Sequence, residues 1–296
     1  MEKLVIIAGT NASGKSGLGI ELALKAGAEI VSADSRQVFK GLDLGSGKVT
    51  PEEMKGVPHH MLDVACPNEF FSLKEYQEQA YEAIDDILGR GKRAYLVGGT
   101  GLYINAIADG YVLSDARPVT DIRRRVEAMS IEDLIEIIKS GDDKYLLSLD
   151  LMNKRRLERA AEKVLAGAPL HKESRARYAT LVLGVTWPRQ VLYERIRDRL
   201  TRRLEQGLLD EVRSLRENGA TDDFLFRLGL EYRYCLMYLR GEFSDYDSFY
   251  EKLFMEIRHL AKEQMTWFRK RKDINWLDME KDPFKEADAL IEEFYQ

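Results

Sequence analysis

The tightest constraint on this chain lies close to its start. Gly9-Thr10-Asn11-Ala12-Ser13-Gly14-Lys15-Ser16 fits the phosphate-loop pattern GxxxxGK[ST], directly after the apolar run Leu4-Val5-Ile6-Ile7-Ala8. Such a loop works only where a buried strand delivers it and a helix leaves it. Its glycines let backbone N–H groups turn inward around a phosphate, and the helix N-terminus adds positive potential. Lys15 supplies a point charge, and the Ser16 hydroxyl is a ligand for Mg2+. Residues 9–16 are therefore read as a cradle for a phosphate ester in an α/β fold.

The first third keeps the strand and helix alternation. Glu29-Ile30-Val31-Ser32, His60-Met61-Leu62-Asp63-Val64 and Ala94-Tyr95-Leu96-Val97 are short strand candidates. Residues 72–88 carry Leu73, Tyr76, Ala80, Ile84 and Ile87 near helical spacing, with Gly89 and Gly91 as the stop. Over 113–178 the strand signals vanish and short charged helices are expected, one capped by Ser130 and one beginning at Asn153. The strand pattern returns in Thr180-Leu181-Val182-Leu183-Gly184-Val185, and Pro188 suits the first turn of the Arg-rich helix that follows. Ile274-Asn275-Trp276-Leu277 is a last strand candidate. The predicted architecture is a P-loop NTPase-like parallel sheet with helices on both faces, built from residues 1–112 and 179–296. Residues 113–178 form an inserted small helical subdomain.

At 296 residues and 45% apolar side chains, the chain can bury a large core. No run nears the roughly 18 uncharged apolar residues needed to cross a bilayer, and the start leads into a strand rather than a signal peptide. A cytoplasmic monomer with no membrane partner is the expectation. Cys66 and Cys235 have no CxxC or Cys/His spacing, which supports neither a disulfide nor a zinc site. The net charge of −5 argues at first against a polyanionic partner. The cations are clustered, however: Arg123-Arg124-Arg125, Lys154-Arg155-Arg156 with Arg159, Lys172 with Arg175 and Arg177, and Arg269-Lys270-Arg271-Lys272. Such patches leave a nucleic-acid partner open.

Most phosphate loops hold ATP or GTP and work with a second apolar strand that ends in Asp. Here the strand at 94–97 runs into Gly98-Gly99-Thr100 instead. Asp34 and Asp63 follow other strands, so the residues alone leave a kinase open. A longer series of motifs narrows the choice. The phosphate loop is followed by Ala33-Asp34-Ser35-Arg36-Gln37-Val38-Phe39, by Gly41-Leu42-Asp43-Leu44-Gly45 with Lys48, and by Pro58-His59-His60-Met61-Leu62-Asp63. Gly98-Gly99-Thr100-Gly101-Leu102-Tyr103 and Gln264-Met265-Thr266-Trp267-Phe268-Arg269 complete it. In order and spacing the chain resembles the tRNA dimethylallyltransferases over nearly its whole length.

The resemblance implies that residues 9–16 hold the diphosphate of dimethylallyl diphosphate with Mg2+, and that no nucleoside triphosphate is consumed. It implies Asp34 as the general base, Thr100 beside the reacting centre and Arg199 on the diphosphate, with Arg195 as second choice. Ser35, Arg36 and Gln37, with Asn153, Lys154, Arg155 and Arg156 in the insert, would contact the adenine and the tRNA anticodon stem-loop. An adenine in a stacked loop must be flipped out before its amino group can react. His59 and His60 alternate faces and read as structural; Trp267 and Phe268 read as core packing. Three segments depart from the usual pattern: Leu151-Met152-Asn153-Lys154-Arg155-Arg156 in a short insert, Leu228-Gly229-Leu230-Glu231-Tyr232 where an Ala-Ile-Gly-Tyr-like turn is usual, and Thr10-Asn11 for Pro-Thr. They raise the adenylate isopentenyltransferases as the main alternative, ahead of a small-molecule kinase.

Overall fold

β1 (Lys3–Gly9) sends Leu4, Ile6 and Ala8 into one buried cluster and Val5 and Ile7 into another. A strand apolar at every position must be covered on both faces. Five strands join it: β2 (Glu29–Ala33), β3 (His59–His60), β4 (Ala94–Gly98), β5 (Ala179–Thr186) and β6 (Ile274–Asp278). All pairs are parallel, in the order β3-β2-β4-β1-β5-β6. The helices are α1 (Lys15–Ala26), α2 (Pro51–Met54), α3 (Leu73–Gly89), α4 (Gly101–Ala108), α5 (Thr120–Glu127), α6 (Ile131–Leu146) and α7 (Lys154–Leu165). They continue with α8 (Arg189–Glu205), α9 (Leu208–Glu217), α10 (Asp222–Leu228), α11 (Leu230–Leu239), α12 (Tyr246–Phe268) and α13 (Pro283–Tyr295). This computed structural model describes residues 1–113, 120–171 and 173–296, so Lys172 and residues 114–119 of the expected insert lie outside the described residues. Among the described residues no helix is long and apolar enough to cross a membrane.

α1 and α13 cover the Val5 face, while α3, α4, α8, α11 and α12 cover the other. α3 begins where its sequence signals it, at a capping box in which Ser72 Oγ accepts the Glu75 N–H. Two expectations need correction. The third strand stops at His60, because Met61 and Asp63 turn to φ 63° and 56°. That turn brings the Asp63 carboxylate to Lys48 Nζ at 2.6 Å and the Asp63 N–H to Gln37 O at 3.1 Å. Pro188, expected inside the first turn of α8, sits one position earlier as its cap, with extended ψ 140°.

The chain splits into two compact units, Met1–Ala108 with Ala176–Gln296, and Asp109–Arg175. The second unit holds α5, α6 and α7 around Val126, Leu134, Ile138, Leu157 and Ala161. Ser130 caps α6 in a capping box with Asp133, and Asn153 Oδ1 accepts the Arg156 N–H to start α7.

Glu29, 3% exposed at the start of β2, meets two cations and an imidazole. Arg90 reaches it at 2.6 and 2.8 Å, Lys92 Nζ at 2.7 Å and His60 Nε2 at 2.8 Å. Hydrogen bonds from Arg90, against the cost of burial, and then from Lys92 and His60 hold its carboxyl well below the usual carboxylate range. A depressed native pKa means that stability is present above the unfolded value and is lost as pH falls through the native one. Glu29→Gln should therefore cost about 1–3 kcal/mol at pH 7, given that its partners are partly solvated. The gap from wild type should close progressively below about pH 4 in denaturant titrations.

Candidate active site

Connections leave β1 towards β2 on one side and β4 towards β5 on the other, so the sheet switches direction between β1 and β4. In open parallel sheets the crevice beyond the strand C-termini at such a point is where ligands bind. Here it is a cleft of about 900 Å³, bordered by the phosphate loop, Asp34 and the Gly99-Thr100 turn.

The phosphate loop is held from outside. Gly14, at φ 87°, makes the turn into α1 in a conformation that L side chains resist. Trp187 Nε1 donates to Ser13 O at 2.8 Å, Arg195 Nε to Ala12 O at 3.0 Å and Lys15 Nζ to Thr10 O at 3.3 Å. With those carbonyls occupied, the unpaired N–H groups of the first turn of α1 are left for an anion. Gln264 bridges the floor, taking the Asn11 N–H at 2.8 Å and donating to Gly99 O at 3.0 Å. Arg199 Nη1 donates to Asn11 Oδ1 at 2.8 Å.

Asp34 follows the last residue of β2, where its Oδ1 accepts the Arg36 N–H at 3.0 Å. Thr100 turns its hydroxyl away from its own helix: Oγ1 accepts the Ser35 N–H at 3.0 Å, while its N–H donates to Ala33 O at 3.1 Å. The first turn of α4 is met by the Thr100 carbonyl instead. The Asp34-Ser35 and Gly99-Thr100 turns are thus one hydrogen-bonded unit facing Lys15.

The cleft carries more positive charge than its carboxylates balance. Burial pushes the Lys15 ammonium down to about 8; Asp34 opposes this, while Arg199 and Arg203 add to it. Burial and the neighbouring Arg203 push Arg199 down to about 9, and burial lowers Arg203 as well. All three remain cations at neutral pH, and an anion among them would relieve the repulsion. No carboxylate closes the C-terminal ends of β4 or β5, the two strands flanking β1: β4 leads into Gly99-Thr100 and β5 into Trp187-Pro188.

The family model for IPP transferase matches residues 37–271. The chain belongs to the IPP transferase family. It is 38% identical to tRNA dimethylallyltransferase 1 of Geotalea uraniireducens, over 97% of this chain and 96% of the relative. It is 40% identical to the tRNA dimethylallyltransferase of Geobacillus thermodenitrificans, over 100% and 96%. The full-length tRNA isopentenylpyrophosphate transferase of Bacillus halodurans has a similar structure, with TM-score 0.76 at 35% identity over 99% and 97% of the two chains. A eukaryotic dimethylallyltransferase solved acting on tRNA gives TM-score 0.85 at 25% identity, covering 100% of this chain and 80% of that one.

In this IPP transferase, Ser16, Asp34, Ser35, Arg36, Gln37, Thr100 and Arg199 all border the cleft with the loop residues 11–15. Arg36 and Gln37 are engaged by the protein itself. Arg36 Nη1 pairs with Glu231 at 2.9 Å, and Gln37 bonds Ser32 Oγ at 2.9 Å and Gly47 O at 3.2 Å. Asn153, Lys154, Arg155 and Arg156 belong to the other unit, where Asn153 is the cap of α7 and Lys154 Nζ reaches Glu127 O at 3.2 Å. Trp267, expected as core packing, packs against the core and also lines the cleft, with its indole Nε1 buried and unpartnered; Phe268 is fully buried. The sequence reading missed three residues. Gln264 carried no role although it sits in a family motif. Arg203 continues the Arg195 and Arg199 face at four-residue spacing, a signal that was present. Glu231 announced itself only as a departure from the usual turn.

Proposed function

We propose that this chain transfers a dimethylallyl group from dimethylallyl diphosphate to the N6 amino group of an adenine beside the anticodon of tRNA, releasing diphosphate. The observation that carries the reading is the under-neutralised cluster of Lys15, Arg199 and Arg203 at a phosphate loop whose neighbouring strands offer no carboxylate for nucleotide hydrolysis. Membership in the family and the likeness to a eukaryotic enzyme acting on tRNA support tRNA as the acceptor.

As the allylic C–O bond stretches, negative charge grows on the diphosphate and cationic character on the carbon. The loop amides, Lys15 and Arg199 are preorganised for the first of these charges, which is the usual source of a large rate effect. The adenine nitrogen forms the new C–N bond from the opposite side of the carbon, and its proton, acidified by that bond, passes to the Asp34 carboxylate. Thr100 and Ser35 hold that carboxylate's turn in place. Among the described residues no group of three or more His, Cys, Asp or Glu could hold a metal. This fits Mg2+, which takes one or two protein ligands and otherwise water and phosphate oxygens. Ser16 would hold it, and it would neutralise charge on the leaving diphosphate.

The test offers labelled dimethylallyl diphosphate and Mg2+ to unmodified anticodon stem-loop RNA and, in parallel, to AMP, ADP and ATP. Label in the RNA is the expected result. Label in a nucleotide alone would assign the chain to adenylate prenylation, and label in neither, with ATP consumed, to phosphoryl transfer.

A further inference from the structure

The segment that departs from the usual family turn, Leu228-Gly229-Leu230-Glu231-Tyr232, places a carboxylate under the cleft. Glu231 is 1% exposed, and its two oxygens go to different arginines. Oε2 accepts from Arg36 Nη1 at 2.9 Å and Oε1 from Arg203 Nη1 at 3.3 Å. Arg36 follows the Asp34 turn, and Arg203 lies on α8 one helical turn beyond Arg199, which bonds Asn11 of the phosphate loop.

Arg203 is 7% exposed, and its other nitrogen, Nη2, is buried with no hydrogen-bond partner. That donor and Nη2 of Arg199 both crowd Gly47, at φ 65°, where a Cβ would overlap the two guanidinium groups. The 43–47 loop is fixed against them, since Glu211 accepts the N–H groups of Asp43, Leu44 and Gly45 at 2.6–3.1 Å and also the Tyr232 hydroxyl at 3.0 Å. One carboxylate shared by two arginines leaves a net positive charge beside Arg199. A buried cation with a spare donor is a costly arrangement unless an anion completes it.

We propose that Arg203 is a second diphosphate-binding guanidinium, completing its coordination through Nη2, and that Glu231 is the positioning residue that holds it there. The proposal rests on the prenyl-diphosphate reading of the cleft. An anionic oxygen lodged between Arg199 and Arg203 receives donors from both, and Glu231 keeps Arg203 from swinging away while no ligand is bound.

The test titrates inorganic pyrophosphate with Mg2+ into wild type, Arg203→Met, Arg203→Lys, Glu231→Gln and the double variant Arg203→Met/Glu231→Gln, beside steady-state kinetics for both substrates. Arg203→Met leaves Glu231 paired to Arg36, so it is the variant that tests the idea even if Glu231→Gln does not fold. Pyrophosphate affinity should fall about 10- to 100-fold in Arg203→Met, as for a charged hydrogen bond. Arg203→Lys should recover part of that loss, KM for prenyl diphosphate should rise, and KM for RNA should stay within about twofold of wild type. Glu231→Gln should weaken pyrophosphate binding in the wild-type background and add nothing in the Arg203→Met background. Wild-type pyrophosphate affinity in Arg203→Met would overturn the proposal, as would equal losses in the Met and Lys variants together with a matching rise in KM for RNA. Should wild type transfer no prenyl group at all, the functional reading fails, while the pyrophosphate comparison still decides the role of Arg203.

Discussion

Asp34→Asn is expected to lower kcat for prenyl transfer by about 10²- to 10⁴-fold, the range for removing a general base. The variant should fold normally. An amide oxygen can still accept the Arg36 N–H that Oδ1 accepts at 3.0 Å, and the turn remains tied through Thr100 Oγ1 to the Ser35 N–H. Pyrophosphate binding should survive at neutral pH, because Asp34 opposes rather than supplies the positive charge of the cleft. A second signature follows from the same geometry. Asp34 raises the Lys15 pKa against the burial that lowers it, so its neutralisation should move the alkaline limit of pyrophosphate binding to lower pH. Retained kcat in Asp34→Asn, measured in single turnovers with saturating RNA, would remove Asp34 from the proton transfer.

Lys15→Ala should act on the other half of the reaction, reducing kcat/KM for prenyl diphosphate by about 10²- to 10³-fold, the effect of deleting one preorganised charge at a leaving group. Its pH dependence gives the assignment a sign. With its pKa at about 8 in the free protein, Lys15 is a cation below that pH, and an anion binds the cation more tightly than the neutral amine. With the ligand's own protonation allowed for, pyrophosphate affinity in wild type should therefore hold below about pH 8 and decline above it. In Lys15→Ala that break should vanish, because the guanidinium groups of Arg199 and Arg203 stay charged through this range. An unchanged break in the variant would show that another group titrates there.

Much of this was legible in the sequence. Local patterns carry their own physics: a phosphate loop needs a strand before it and a helix after it, and β1 and α1 are there. Ser130 and Asn153 announced their helices because a cap satisfies N–H groups only a few residues away. The 61–64 segment failed as a strand because its conformation is set by Lys48 and Gln37, partners distant in sequence.

The sequence by itself determined the fold class, the phosphate loop and the acid that follows β2, since each is written in neighbouring residues. Only the tertiary structure decided that Gln264, from near the end of the chain, spans Asn11 and Gly99, and that Arg36 is held by a carboxylate 195 positions away. It alone brought Arg199 and Arg203 over Gly47 and gave Arg203 and Arg36 one shared counter-charge in Glu231. The reason is physical. A hydrogen-bond donor or a charge does not record in the sequence which distant acceptor will satisfy it, and burial creates that demand only once the strands have brought the loops together.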